Sequence, residues 1–182
     1  MSPADSGGGL FCNGNGAGAV CRPTLSQLVF SGNTASSGGG AVYLRGSAGA
    51  SSPVITDVQF NGNRAAHGGG LYIDAAFGGV GSPTLNAVTF SANTTQFNGA
   101  GAYCYGRGGN CSPSLSNVTF DGNTSSSGFG GAMLNYADVT GVASPSFRNG
   151  TITNNNADHG GALYNWVGGA GSSSPTLTNV IF

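Results

Sequence analysis

The aspartates and histidines are the side chains of this sequence that could carry acid–base chemistry. Bond cleavage by paired carboxylates needs two of them a few ångströms apart, or one beside a base or a cation. His67 and His159 occupy the same position of the repeat described below, but three repeats separate them. The aspartates fall at different positions of that repeat: Asp57, Asp74, Asp121, Asp138 and Asp158. We therefore predict no catalytic residue, no metal site and no cofactor.

The second reactive set is the four cysteines: Cys12, Cys21, Cys104 and Cys111. Cys21 and Cys111 each lie two residues before a proline of the repeat, so the two pairs are equivalent. Cys12 and Cys104 are three coils apart in the fold predicted below, roughly 14 Å, beyond the ~7 Å Cα limit for a disulfide. We predict the disulfides Cys12–Cys21 and Cys104–Cys111, which are typical of an oxidising, extracellular setting. Metal binding is disfavoured because no CxxC spacing or nearby histidine accompanies the cysteines.

A repeat of about 30 residues positions all of these side chains. Prolines mark it at spacings of 30, 30, 30, 32 and 30 residues: Pro23, Pro53, Pro83, Pro113, Pro145 and Pro175. Three apolar positions recur after each proline, as in SPTLNAVTF (82–90) and SPSLSNVTF (112–120). The composition, with 35 glycines and 6% charged residues, resembles that of a disordered chain. A disordered chain is not expected to keep such a register, however.

The repeat predicts strands rather than helices. Apolar residues do not follow helical spacing over a dozen positions, and glycine and proline interrupt every window. Short runs of Val, Phe, Tyr and Thr between turn residues are typical of strands. Since one repeat cannot bury its own apolar face, parallel stacking at about 4.8 Å must bury it. We predict an all-β parallel β-helix (β-solenoid) of about six coils in a single domain, residues 1–182, with repeats 1–30, 31–60, 61–90, 91–120, 121–152 and 153–182.

Two residue types recur at fixed positions and predict side-chain ladders along the stack. The aromatic ladder is Phe30, Phe60, Phe90, Phe120 and Phe182, with Ile152 in the fifth repeat. Three residues after the aromatic position comes an asparagine: Asn33, Asn63, Asn93, Asn123 and Asn155. Stacked asparagines can hydrogen-bond from coil to coil and tolerate the left-handed backbone of a bend. We predict a structural role for them.

The strand that follows the glycines of each repeat predicts an unusual surface. When the repeats are aligned on GG[AL], both alternating sets of residues are apolar, so one set must face outward. That set predicts an association stripe, unless the following loop covers it: Val42, Tyr72, Tyr103, Met133 and Leu163. A mixed row predicts a solvated edge: Asn13, Leu44, Asp74, Tyr105, Asn135 and Asn165. The same alignment groups Cys12 and Cys104 with Tyr43, Ile73, Leu134 and Tyr164.

Charge and hydropathy argue against two kinds of partner. The net charge is −1 and the five arginines are scattered, so no basic face for nucleic acid is expected. The sequence contains no run of about 18 apolar residues, the length that a membrane-spanning helix needs. No signal peptide is visible, so we expect either a removed signal or a piece of a longer chain. Because exposed solenoid ends invite strand pairing, both a solenoid fragment and a filament subunit stacked end to end stay open.

The recurring motifs resemble those of a known family. FSGN (30–33), FNGN (60–63) and FDGN (120–123), each followed by GGAV (39–42), GGLY (69–72) or GGAM (130–133), resemble the FxxN and GGA[ILV] repeats of the chlamydial polymorphic outer-membrane proteins. The similarity covers nearly the whole chain and extends to the pectin-lyase-like parallel β-helices. The resemblance implies a right-handed coil and a surface-displayed passenger segment that is often adhesive.

We therefore interpret the protein as a non-enzymatic extracellular solenoid with a structural or adhesive role, in a surface protein or a self-associating filament. Its partner would be itself, through end-to-end or lateral stacking, or cell-surface glycans or proteins. The alternative is a carbohydrate-binding or polysaccharide-cleaving β-helix. In that case the loops that vary between repeats, such as RGSAGASS (45–52) and AAFGGVGS (75–82), would form the cleft.

Overall fold

The protein is a stack of parallel strands over residues 4–182, the part of the chain that this computed structural model describes. None of these residues forms a helix with the length and hydropathy to cross a bilayer. The predicted all-β solenoid of about six coils is confirmed. In chain order its strands are β1 (Ala4–Ser6), β2 (Leu10–Asn13), β3 (Val20–Cys21), β4 (Thr24–Ser31), β5 (Ala35–Gly38), β6 (Val42–Arg45), β7 (Ala50–Ser51), β8 (Val54–Asn61), β9 (Arg64–His67), β10 (Leu71–Asp74), β11 (Thr84–Ser91), β12 (Thr94–Asn98), β13 (Ala102–Arg107), β14 (Ser114–Asp121), β15 (Thr124–Ser125), β16 (Met133–Asp138), β17 (Ser146–Thr153), β18 (Leu163–Val167) and β19 (Thr176–Ile181).

Three sheets run along the stack, and all of their strand pairs are parallel. The long-strand sheet contains β4, β8, β11, β14, β17 and β19. The short-strand sheet contains β1, β5, β9, β12 and β15, and the glycine-led sheet contains β2, β6, β10, β13, β16 and β18. Strands β3 and β7 form a separate pair. Equivalent residues of successive coils therefore lie side by side, and a column of such residues faces either the core or solvent.

Phenylalanine rings stacked along the axis form the centre of the core. Phe60, Phe90 and Phe120 are fully buried. Ring centroids are 4.7 Å apart for Phe60 and Phe90, and 4.6 Å apart for Phe90 and Phe120. The glycine-led strand packs so closely on this stack that a Cβ at Gly70 would lie 2.9 Å from the Phe90 ring. Phe182 is 64% exposed and lies one residue beyond the last paired residue, Ile181.

A buried ladder of asparagine amides runs beside the phenylalanines. The Nδ2 of Asn63 donates to Oδ1 of Asn93 at 2.9 Å and to the carbonyl of Phe30 at 2.9 Å. The same Oδ1 also accepts the backbone N–H of Asn63 at 3.0 Å. Equivalent bonds link each neighbouring pair of the ladder from Asn33 to Asn155. The ladder thus pairs amides that are fully removed from water in its middle coils.

The left-handed corner of each coil lies one residue before the asparagine of the ladder. Positive φ occurs at Gly32 (64°), Gly62 (63°), Ala92 (52°), Gly122 (65°) and Asn154 (56°). The ladder asparagines tolerate this conformation but do not adopt it. The preceding residue turns the corner, at little steric cost where it is glycine, and the asparagine is left free to point its amide along the stack.

Each long strand contains a bulge at its fourth residue. The bulged residues have φ between 53° and 55°: Gln27, Asp57, Ala87, Asn117, Asn149 and Asn179. The bulged residues have no paired partner in the strand of the preceding coil or in that of the following coil. This is expected of an inserted left-handed residue in a strand. The bulge explains why the inward residues Leu85, Val88 and Phe90 are spaced by three and then by two.

The serines that precede five of the repeat prolines, from Pro53 to Pro175, form a third ladder. The Oγ of Ser52 accepts the backbone N–H of Ser82 at 3.0 Å, and the Oγ of Ser82 accepts that of Ser112 at 3.3 Å. The series continues through Ser144 and Ser174. These hydrogen bonds account for the recurrence of Ser-Pro in the repeat.

Two disulfides each close the loop of one coil. Cys12 is bonded to Cys21 and Cys104 to Cys111, with Cα atoms 5.7 Å apart in both bridges. Cys104 and Cys111 are completely buried, so this bridge is part of the core. Among residues 4–182 there is no free cysteine.

Replacing Asn93 with alanine should lower the free energy of unfolding by roughly 2–3 kcal/mol, because the buried amide of Asn63 loses its acceptor. Urea denaturation followed by circular dichroism measures the loss. Asn61→Ala is the matched control, since the Asn61 side chain is exposed and accepts only a 3.4 Å bond from Ser91 within residues 4–182. This control should change the free energy by about 0.5 kcal/mol or less. Equal losses for the two variants would contradict a stabilising role for the ladder.

Removing the Cys104–Cys111 bridge by serine at both positions should cost about 2–3 kcal/mol, because the unfolded chain regains the entropy of the short loop. The same denaturation experiment applies. The Cys12→Ser, Cys21→Ser variant is the comparison, and a similar loss is expected because its loop is of similar length. A denaturation midpoint that does not move in either variant would show that the bridges do not restrict the unfolded chain.

Candidate functional site

Two columns of the glycine-led sheet point away from the core and are rich in aromatic residues. The first column is Phe11, Tyr43, Tyr72, Tyr103, Leu134 and Tyr164. The second column is Asn13, Arg45, Asp74, Tyr105, Tyr136 and Trp166. We call these two columns together the aromatic face. Strand alternation separates them by one inward column.

The predicted association stripe is wrong in its register. Val42 and Met133 are buried and, like the half-buried Leu163, belong to an inward column. Tyr72 and Tyr103 belong to the first column of the aromatic face. The stripe thus combined residues from opposite sides of the sheet.

The triple glycine 68–70 caused this error. The corner before each glycine-led strand is left-handed at one glycine, which is the second of the run 38–40 (Gly39, φ 64°) but the first of the run 68–70 (Gly68, φ 58°). Counted from that glycine, Leu71 and not Tyr72 is the partner of Val42. An alignment on the last two glycines shifts the third coil, residues 61–90, by one residue, which turns every side chain of its glycine-led strand to the other face.

The predicted mixed row combined two columns in the same way. Asn13, Asp74 and Tyr105 lie on the aromatic face, whereas the other members lie on the inward column: Leu44, Asn135 and Asn165. That inward column also contains the cysteines Cys12 and Cys104 together with Ile73. The residues that the alignment grouped with the cysteines, Tyr43, Leu134 and Tyr164, face outward instead.

The rings of the aromatic face form two stacks that meet at an angle. Ring centroids are 4.8 Å apart for Tyr43 and Tyr72, and 4.9 Å apart for Tyr72 and Tyr103. Tyr136 lies at 88° to Tyr103 and parallel to Trp166, with centroids 4.2 Å apart in this last pair. Tyr103 is only 5% exposed, whereas Tyr136 and Trp166 stay partly open to solvent. The second column therefore covers the first and presents its own rings.

Polar and charged groups border these rings. The hydroxyl of Tyr43 donates to Oδ2 of Asp74 at 2.9 Å. The hydroxyl of Tyr136 donates to Oδ2 of Asp138 at 3.4 Å, and Nε of Arg107 lies 3.7 Å from the same oxygen. The surface is thus made of apolar rings with hydrogen-bonding groups at their border.

A shallow crevice of about 90 Å³ opens between the rings. Phe129, which continues the register of the short-strand sheet, stacks on Tyr164 with centroids 4.8 Å apart and forms one wall. The remaining lining residues are Asn98, Leu134, Tyr136 and Trp166. The crevice is therefore aromatic with one amide at its edge.

Burial shifts the pKa values of the titratable rings of this region in the direction that favours their uncharged forms. It raises the pKa of Tyr43, and the carboxylate of Asp74 raises that pKa further. Burial also raises the pKa of Tyr72 and of Tyr103 well above the usual value, with neighbouring tyrosines adding to the effect. Burial lowers the pKa of His67, whose ring packs 5.8 Å from that of Tyr103.

The structure keeps the predicted acid–base candidates apart. Asp74, Asp121 and Asp138 lie in different columns, and each already accepts a hydrogen bond from another side chain. His67 and His159 share a column, with two residues between them. Within residues 4–182 no three His, Cys, Asp or Glu side chains are grouped so that they could hold a metal ion.

The loop after each glycine-led strand turns through a left-handed residue. The residues are Ala48, Phe77, Gly108, Val139 and Gly169, with φ of 54°, 54°, 67°, 63° and 55°. Phe77 is 69% exposed, and Cζ of Arg107 lies 6.0 Å from the centre of its ring. A bulky residue rarely adopts positive φ, and here it presents its ring to solvent at the loop tip.

The free energy of unfolding should fall as the pH rises above about 10. Tyr72 and Tyr103 keep their protons in the folded protein, whereas tyrosines of the unfolded chain lose them near pH ~10. Each of these tyrosines therefore contributes its full stabilisation below that pH and loses at most about 1.4 kcal/mol per pH unit above it. Urea denaturation between pH 8 and 11 measures the slope, which Tyr72→Phe should reduce. An unchanged slope in this variant would contradict the assignment.

Two segments of the chain, residues 27–45 and 57–74, match the Chlamydia polymorphic membrane protein repeat. Each segment runs from the bulge of a long strand, through the asparagine ladder, to the end of a glycine-led strand. No match was found among curated proteins or solved structures. The repeat family is one of outer-membrane and surface proteins, and the two disulfides fit an extracellular location. In these coils the chain is thus similar to the Chlamydia polymorphic membrane protein repeat, stacked as a parallel β-solenoid.

Proposed function

We propose that the protein is a non-enzymatic adhesive segment of a surface protein and that its aromatic face binds a glycan. The observation that carries the proposal is the parallel ring pair of Tyr136 and Trp166, bordered by Asp138 and Arg107. A sugar ring has an apolar C–H surface and a rim of hydroxyl groups. Aromatic rings with hydrogen-bonding groups at their border match both features.

The length of the aromatic face favours a chain-like partner over a small molecule. A polymer lying along the stack would meet an outward ring at nearly every coil, from Phe11 to Trp166. Repeated weak contacts along one molecule add through effective concentration. This supports adhesion to polysaccharide or to the glycans of another cell, both of which a surface protein would encounter.

The positions of the carboxylates support binding without cleavage. Among residues 4–182, Asp74 on the aromatic face and Asp138 at its border lie two coils apart, roughly 10 Å along the stack, and are also offset by two residues along the strand. Glycoside hydrolysis uses carboxyl groups about 5–5.5 Å apart for retention or about 6.5–9.5 Å apart for inversion. Each of the two is also engaged by a tyrosine hydroxyl.

The single tryptophan of the chain provides a direct test. Glycans that score on an array would be titrated into the protein while the fluorescence of Trp166 is followed. We expect saturable changes in the wild type, and about tenfold weaker binding for Tyr136→Ala, because one stacking surface is lost. For Trp166→Ala, which removes the fluorophore, calorimetry replaces fluorescence, and a loss of the same size is expected.

Phe182→Ala is the matched control, because Phe182 is an exposed aromatic residue at the end of the long-strand sheet rather than on the aromatic face. It should bind like the wild type. Loss of binding in this variant alone would move the site to the long-strand sheet. Absence of any glycan or cell binding by the wild type would overturn adhesion, and polysaccharide turnover that Asp138→Asn abolishes would overturn the non-enzymatic assignment.

A further inference from the structure

A polar cleft of about 510 Å³ lies on the outer side of the short-strand sheet, away from the aromatic face. Arg64, Thr94 and Thr124 stand side by side on β9, β12 and β15 and form one wall. The other wall carries Gln96 with two serines of the next coil. We infer that this cleft binds an acidic saccharide and holds its carboxylate or sulfate group at Arg64.

Extra residues in two successive coils build the second wall. The chain takes five residues from Asn63 to Gly68, six from Asn93 to Gly99 and seven from Asn123 to Gly130. The added residues bulge outward and break the register between β9 and β12. The cleft lies where these two longer coils follow the five-residue corner that carries Arg64.

Backbone hydrogen bonds make this wall a fixed part of the fold. The N–H of Ser126 donates to the carbonyl of Thr95 at 2.9 Å, and that of Ser127 donates to the carbonyl of Gln96 at 3.0 Å. A Cβ at Gly128 would overlap the Phe97 carbonyl, so the close approach of the two bulges requires glycine there. The backbone that carries the hydroxyl and amide groups of this wall is therefore held in place before any ligand arrives.

The charge in the cleft is positive and unpaired. Arg64 is exposed, is the one charged side chain in the lining, and has no ion-pair partner within residues 4–182. A guanidinium binds carboxylate or sulfate with two parallel hydrogen bonds. The lining carries no carboxylate that would repel such a group.

The size of the cleft and its uncharged polar groups favour an acidic sugar over other kinds of anion. A cleft of this volume is in the range of small-molecule sites and far exceeds one sulfate or phosphate ion. No aromatic ring lines it, so a nucleobase would have no stacking surface. Hydroxyls of Thr94, Thr124 and Ser126 both donate and accept hydrogen bonds, as does the amide of Gln96, which suits the hydroxyl groups of a sugar. The inferred ligand class is a uronic-acid or sulfated saccharide.

Calorimetry with the full 182-residue chain tests this inference. The probes are a uronic-acid tetramer, a sulfated tetrasaccharide, a neutral glucose tetramer and sodium sulfate. We expect at least one acidic tetramer to bind, more weakly as salt rises. Arg64→Gln should weaken that binding on the order of ten- to a hundredfold. Thr124→Val, which removes a hydroxyl and keeps the shape, should weaken it less.

Arg148→Gln is the matched control, because Arg148 is also exposed but lies on the long-strand sheet. An equal loss in this variant would reduce the effect to overall charge and overturn the inference. If the neutral tetramer binds as tightly as the acidic ones, the inferred acidic ligand class is wrong. If sulfate binds as tightly as the tetramers, the cleft is a simple anion site and the inferred saccharide ligand is wrong. Failure of both acidic tetramers to bind would also overturn the inference.

This experiment is separable from the test of the proposed function. Trp166→Ala should leave the binding of the acidic tetramer unchanged, and Arg64→Gln should leave the fluorescence response of Trp166 to array glycans unchanged. If Trp166→Ala no longer binds the acidic tetramer, that ligand binds to the aromatic face and the inference about the cleft is wrong. The proposed adhesive function would be unaffected by this result.

Discussion

A buried asparagine amide is tolerated at the corner of each coil because the next coil supplies an identical amide to pair with it. An unpaired amide of this kind costs about 1–3 kcal/mol, which the marginal stability of a protein seldom accommodates. Pairing Asn63 to Asn93 and to the carbonyl of Phe30 fixes both the distance and the register of successive coils. The same register brings the Phe60 and Phe90 rings to 4.7 Å, so stacking of the core follows from the amide ladder and supports it.

This register restricts inward positions and leaves outward positions free. An inward column must suit the same space in every coil, which explains the repeated Phe, Asn and Ser-Pro positions. The outward columns do not enter the core, so one of them can change from Arg45 to Asp74 to Tyr105 without cost to the core. Differences in coil length are likewise absorbed outside, as in the bulges that frame Arg64. Surface chemistry is therefore concentrated where the repeats differ from one another.

The sequence was enough to predict what the repeats share. Proline spacing predicted the coils, and the ladder of asparagines, the pairing of the cysteines and the inward positions of the long strands followed from it. The bulge at Asp57 and its equivalents was missed, although the spacing of Leu85, Val88 and Phe90 by three and then by two was a signal, since a regular strand alternates by two. The register of the aromatic face could not be read, because Gly68, Gly69 and Gly70 are chemically identical and only the first is left-handed.

The two columns of the aromatic face have different physical roles despite their similar composition. Tyr103 is almost fully buried beneath Tyr136, and its hydroxyl proton is held by that burial, so the first column belongs to the packed structure. Tyr136 and Trp166 cover it, keep access to solvent and stand beside the charged pair of Arg107 and Asp138. Removing a ring of the first column would open a gap in packed side chains, whereas removing one of the second mainly alters the surface. A solenoid of this kind can therefore exchange its outermost column, and with it its binding preference, while the ladders beneath keep the coils in place.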